Sequence, residues 1–359
     1  MADKGEKGKI LVLTSTVPPF RGGNEILAER LVEELRKRGY EAGVQFNLRR
    51  PSPAFACLAS YLNYRYLTSF KKHKGKRVNK IISLAYPSYA AKHKNHVCWL
   101  NHGKRECYDQ FDTIYSWEKR RWMKLLLRLE RSAIHFVDKR IFRSNPPTIR
   151  QQSINIKKRL SAAGIRSGSV VYPPCRRDIN IENPGYGDFI FLVSRFEWIK
   201  RIPLLIEAFR FVRDKKVKAV IVGGGPEYEK YMKLIKKHRL EKKVKVIDRF
   251  ISDKELINYY KNCMAVFYGP QDEDYGMVTL EAMKSRKAVI TCTDSGGPTE
   301  FVRDGKNGFI AKPYPREIAR RIDRLAGNRG LARRMGQNAF ESVEHINWDE
   351  AIEELLSSN

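Results

Sequence analysis

Short apolar runs recur along both halves of this chain, and the stretches between them keep helical spacing. In the first half the runs are Ile10–Thr14, Ala42–Phe46, Ile81–Ala85, Val97–Leu100 and Val170–Tyr172. In the second they are Phe189–Ser194, Val217–Val222, Val244–Ile247, Ala265–Tyr268, Ala288–Cys292 and Phe309–Ala311. Continuous apolar runs, rather than alternating ones, mark strands covered by helices on both faces. Between them, Ile26, Leu27, Leu31, Val32 and Leu35 repeat along Glu25–Arg38, with Asn24 placed to cap and Gly39 to stop the helix. This alternation predicts two doubly wound α/β domains, each built on a parallel sheet. At 359 residues the chain is long enough for two cores. The boundary falls in Pro173–Asp188, which holds Pro, Gly and Asn but little periodicity, so we expect domains at 1–178 and 179–345.

The chemistry concentrates in the second half. Glu273 and Glu281 stand with seven residues between them, and Gly276 lies at a strand-to-helix turn before Met277-Val278-Thr279. Ionised carboxylates only accept hydrogen bonds, so such a pair suits sugar hydroxyls and a ribose diol. Backbone N–H groups at the helix start between them suit a phosphate. Arg195 and Lys200 follow the run Phe189–Ser194, at the end of a strand where open α/β sheets bind ligands. A fixed guanidinium and a mobile ammonium together neutralise a diphosphate. Asp294-Ser295-Gly296-Gly297-Pro298 follows another strand.

This ordered set resembles family 4 of the retaining glycosyltransferases, nearest to mannosyltransferase-like members: Arg-x4-Lys, Gly223–Glu227 (GGGPE), Glu-x7-Glu and Ser-Gly-Gly. The likeness continues through Asn101-His102-Gly103-Lys104-Arg105 with Tyr108-Asp109, Ser144-Asn145 and Val171–Pro174, covering nearly the whole chain. It implies the GT-B fold, two Rossmann-like doubly wound domains facing a cleft, with the final helix in 346–359 crossing back to the first domain. The implied activity is retaining transfer of a hexose, mannose among the candidates, from a nucleoside-diphosphate sugar to a glycan or lipid-linked acceptor. No cofactor or metal is implied, because Arg195 and Lys200 would carry the leaving diphosphate. The leaving phosphate itself would take the acceptor proton, so no side chain is assigned as general base.

The resemblance gives the residues their roles. Glu273 would accept from hydroxyls of the transferred sugar and Glu281 from the ribose. Amides around Met277, Val278 and Thr279 would hold the phosphates, and Arg249 and Phe250 would lie by the base. Gly22 and Gly23 would let donor or acceptor approach the first domain's backbone. His102 would stand near the reacting sugar, and Lys104 and Arg105 would meet acceptor phosphate. The chain departs from the family at Ser194, Tyr275 and Arg201. Gly is usual at the last position, so Arg201 is expected to add a charge beside the diphosphate.

Charge divides the halves. Residues 1–178 carry 37 Lys+Arg against 14 Asp+Glu, and residues 179–359 carry 32 against 26. Between Glu41 and Glu106 no acid occurs among thirteen Lys or Arg. Phe55, Tyr61, Tyr64, Tyr66 and Phe70 precede Lys71-Lys72-His73-Lys74-Gly75-Lys76-Arg77, a combination that suits an anionic membrane face. The alternative is a basic GT-B-like binding protein without transferase activity, whose partner is a nucleic acid or such a membrane. Zinc-finger spacing, an RNP-like strand and a helix-turn-helix are all missing, so nucleic acid ranks well behind a nucleotide sugar. Six cysteines show no metal-ligand spacing and read as reduced thiols. The charged start Met1–Lys9 lacks a signal peptide's apolar core, which predicts a cytoplasmic protein, peripheral to a membrane if bound to one.

Overall fold

Along the strand Lys7–Thr16, Ile10 and Val12 are buried on one face of a sheet and Leu11 and Leu13 on the other. A strand alternates its side chains, so an unbroken apolar run needs cover on both sides. The computed structural model, which describes residues 7–16, 23–48, 56–101, 103–144, 147–175, 179 and 181–357, supplies that cover. It divides into one unit of Met1–Arg176 with Trp348–Asn359, and a second of Arg177–Asn347.

The first unit's sheet runs in the order Tyr40–Leu48, Lys7–Thr16, Lys80–Ser83, His96–Leu100, Thr148–Gln151, Ser169–Val170, all parallel. One face is covered by the helix Gly23–Lys37 through Leu27, Leu31 and Leu35, and by the C-terminal helix Trp348–Leu356 through Ala351, Ile352 and Leu355. Polar contacts fix that last helix: Lys80 donates to the Leu356 carbonyl at 2.9 Å, and Arg38 pairs with Asp349. The other face carries Ile134, Ile141 and Phe142 of the helix Arg121–Ser144, with Ile156 and Leu160 of Ile154–Ala162.

Thr148–Gln151 is a strand that apolar periodicity does not predict. Its Arg150 and Gln151 are polar yet buried, and Arg150 lies 3.6 Å from Glu354 of the C-terminal helix. The basic run is also corrected. Lys72–His73 and Lys76–Arg77 form a short antiparallel hairpin. Tyr61, Tyr64 and Phe70 are core residues, so they do not stand beside its cations on the surface. Phe55 lies outside the described residues; Tyr66 is exposed, under the Lys92 ammonium.

The second unit's sheet runs Val244–Asp248, Lys218–Gly223, Phe189–Val193, Ala265–Phe267, Val289–Cys292, Gly308–Ala311, again all parallel. From its first strand, Phe189–Val193, the chain adds two neighbours on one side and then returns to place Ala265–Phe267 on the other. Loops leaving the carboxyl ends of those two strands diverge, and open α/β sheets take ligands at that switch point. Cys98, Cys107, Cys263 and Cys292 are buried free thiols. No helix among the described residues is long and apolar enough to cross a membrane.

Candidate functional site

The two loops at the switch point bring together residues 73 positions apart. Lys200 comes from the turn Trp198–Lys200 after the first strand, and Glu273 from the loop after the fourth. Lys200 Nζ donates to Glu273 Oε2 at 2.5 Å and to the Tyr268 hydroxyl at 3.4 Å. The Gln271 amide donates to the Ile199 carbonyl at 2.8 Å, tying the loops by their backbones. Burial opposes the Lys200 charge, but Glu273 and Tyr268 outweigh it and hold the ammonium above the usual lysine range.

Glu273 is fixed through its backbone. Its amide donates to the Ser295 carbonyl, and the Gly297 amide donates to its own carbonyl, each at 2.9 Å. A Cβ on Gly297 would lie 2.5 Å from the Tyr275 carbonyl oxygen, so only glycine lets these loops touch. Gly276 enters the helix Met277–Lys284 at φ 84°, where a Cβ would lie 2.8 Å from Pro298. The Glu-x7-Glu and Ser-Gly-Gly segments, read separately in sequence, are one interlocked piece.

Within that helix start, the Thr279 amide already donates to the Gly276 carbonyl at 2.8 Å. That bond closes the first turn and sets the Thr279 amide at the helix start. Met277 and Val278 remain at the turn. Glu281 is buried, 1 % exposed, and its Oε2 accepts from the Tyr260 hydroxyl at 3.1 Å. Tyr260 is a site neighbour that no spacing in the sequence signals.

Arg195 is exposed and lies 3.1 Å from Glu197. Arg201 overturns its expectation. Its NH1 and NH2 each donate to Asp294 at 2.7 Å, its Nε donates to the Gly269 carbonyl at 3.0 Å, and it takes the left-handed conformation with φ 48°. It is a clamp with a matched countercharge, not an added cation. Arg249 and Phe250 follow the strand Val244–Asp248; Arg249 pairs with Glu255 at 2.7 Å and Phe250 is 83 % exposed.

In the first unit, Gly23 opens its helix, while Gly22 and His102 lie outside the described residues. Asn24 does not cap that helix: its Oδ1 accepts from Asn101 Nδ2 at 2.6 Å, joining the end of strand His96–Leu100 to the helix start. Lys104 is also corrected. It is buried in an ion pair with Glu130 and is therefore not presented to an acceptor phosphate. Arg105 donates to Asp109 at 2.8 and 2.6 Å on the rim of a cavity of about 290 Å³, with Arg131, His135 and Arg159 nearby. At its base Asp138 accepts from Tyr89 and Tyr108, each at 2.7 Å, and from Tyr61. Burial pushes the Asp138 carboxyl up to about 6, although the three hydroxyls favour its charged form. Among the described residues no group of three or more His, Cys, Asp or Glu is placed to hold a metal.

The family model for glycosyl transferases group 1 matches residues 178–342. An uncharacterized glycosyltransferase of Methanocaldococcus jannaschii is 28 % identical over 184 residues, covering 51 % of this chain and 50 % of its own length. The human alpha-1,3/1,6-mannosyltransferase ALG2 is 28 % identical over 179 residues, covering 46 % and 42 %. The chain thus spans half or less of these relatives' own length. Among solved structures, Anabaena Alr3699/HepE in complex with UDP and glucose superposes with a TM-score of 0.70 at 17 % identity, covering 97 % of this chain and 98 % of the other. That likeness shows a shared fold.

Proposed function

We propose, on the match of residues 178–342 to the family model for glycosyl transferases group 1 and on the GT-B fold, that the protein moves a hexose from a nucleoside-diphosphate sugar to a glycan or lipid-linked acceptor. The observation that carries this reading is the Lys200–Glu273 contact at the switch point of the second sheet. An ammonium kept charged by a carboxylate supplies cation for a diphosphate and orients the acid that receives sugar hydroxyls.

In this reading Arg195 and Lys200 bind the diphosphate and stabilise charge on the leaving nucleotide, which removes the need for a divalent ion. Met277 and Val278 amides and the helix start add to that field. Glu281, set by Tyr260, accepts from the ribose, and exposed Phe250 beside Arg249 receives the base. The transfer retains anomeric configuration, with His102 assigned to the reacting sugar, Gly22 and Gly23 to donor or acceptor, and Arg105 to the acceptor. Mannose is the favoured sugar because ALG2 is a mannosyltransferase by name; HepE was solved with UDP and glucose, so the base is the first thing to measure.

The test is a thermal-shift screen against GDP, UDP, ADP and their sugar conjugates, with single-stranded RNA in parallel. A shift with one nucleoside diphosphate, lost in Arg195→Ala and Lys200→Ala, is expected. Salt-sensitive RNA binding without any nucleotide shift would replace the transferase reading with a basic binding protein.

A further inference from the structure

The helix Arg121–Ser144 carries an apolar seam that the fold leaves uncovered. Trp122, Leu125, Leu129 and Phe136, with Trp117 just before the helix, are each at least half exposed. Spacings of three, four and seven residues put the helical four on one stripe. At about 100° per residue that stripe lies roughly 160° around from the one buried through Glu130, Ile134, Asp138 and Ile141. The seam is therefore not a loosely covered part of the core. It extends over much of a 24-residue helix about 36 Å long. A contiguous apolar stripe of this kind marks an interaction site.

Charge says what it meets. The helix has seven Lys or Arg, and both of its acids point inward: Glu130 is buried against Lys104 and Asp138 against its three tyrosines. Arg121, Arg128, Lys139 and Arg143 fall along one flank of the seam on a helical projection, while Lys124 and Arg128 lie over the Tyr115 ring at 4.8 and 4.9 Å. Glu118, just ahead of the helix, is matched by Arg120 at 2.9 Å. An exposed aromatic and leucine stripe edged with cations and no outward acid is the pattern of a helix lying in the interface of an anionic bilayer.

We propose that the protein docks on anionic membranes through this face of Arg121–Ser144, with Trp122, Leu125, Leu129 and Phe136 entering the headgroup boundary and the flanking cations meeting lipid phosphates. The inference stands apart from the donor site and needs no nucleotide. It moves the membrane contact away from the Lys71–Arg77 hairpin, whose neighbouring Tyr61, Tyr64 and Phe70 are committed to the core.

The test is flotation of the full chain with vesicles of equal parts phosphatidylglycerol and phosphatidylcholine, beside vesicles of phosphatidylcholine alone. The double variant Leu125→Glu/Leu129→Glu replaces exposed side chains, and its thermal transition serves as the folding control. Expected are binding to the anionic vesicles only, a partition coefficient lowered more than about tenfold in the double variant, and a change under about threefold when Lys71, Lys72, Lys74, Lys76 and Arg77 are neutralised. Intact binding in the folded double variant would overturn the proposal. So would a wild-type dimer by light scattering that the same substitutions convert to monomer while vesicles stay unbound, because the seam would then meet a second copy of the chain.

Discussion

Arg201 and Asp294 meet through two hydrogen bonds of 2.7 Å each, in the planar fork that a guanidinium and a carboxylate form best. The same guanidinium holds the Gly269 and Pro270 carbonyls, so it braces the loop leading to Glu273. The left-handed backbone at Arg201 costs about 1 kcal/mol for a residue with a Cβ. The fork offsets that cost.

Arg201→Gly therefore relieves the backbone while removing the brace. We expect net destabilisation of about 1 kcal/mol, with nucleotide affinity unchanged within about threefold. Urea melts and nucleotide titration check both. A tenfold loss of affinity with unchanged stability would make Arg201 a ligand contact instead.

Lys200→Ala removes the charge that faces Glu273 and leaves a mostly buried carboxylate without that partner. Transfer is expected to fall by at least about a hundredfold, with stability lowered by roughly 1–3 kcal/mol. Glu273→Gln keeps the shape and is expected to lose transfer while nucleoside-diphosphate binding persists. Near-normal turnover in both would remove these residues from the chemistry. Wild-type Lys200, held above the ordinary lysine range, stays charged below it, so loss of diphosphate binding between pH 7 and 9 is not expected to trace to this group.

Donor turnover is expected to survive EDTA if, as proposed, Arg195 and Lys200 take the part that a divalent ion would otherwise play. The check is product formation after extensive chelation. Loss restored by added magnesium or manganese would assign the diphosphate to a metal.

What was legible in the sequence followed from local periodicity and chain order. Ile10–Thr14 and Phe189–Ser194 read as strands because both faces are buried, and Gly276 read as a turn because the helix starts there. Thr148–Gln151 was not legible, since its burial of Arg150 depends on Glu354, more than two hundred residues on. Lys104 looked like a surface cation because Glu130 sits seven helical turns of chain away and meets it only in the fold. Arg201 looked like an added charge for the same reason: Asp294 lies in another loop. The Asp138 cluster has no spacing signature, because Tyr61, Tyr89 and Tyr108 reach it from three separate segments.

That cluster sets the last expectation. Burial raises the Asp138 carboxyl from 3.8 to about 6, so the native state takes up a proton that the unfolded chain releases. The stability contributed by its protonated form is complete below about pH 4 and is lost as pH rises through about 6. The difference is of the order of 3 kcal/mol. Asp138→Asn cannot titrate, so the stability of the wild type relative to this variant is expected to decline between pH 4 and pH 7, with the change centred near pH 5. Urea midpoints of the two proteins across that range read the difference directly and cancel the titration of other carboxylates. A flat difference would mean that the three tyrosine hydroxyls outweigh burial and keep Asp138 ionised throughout.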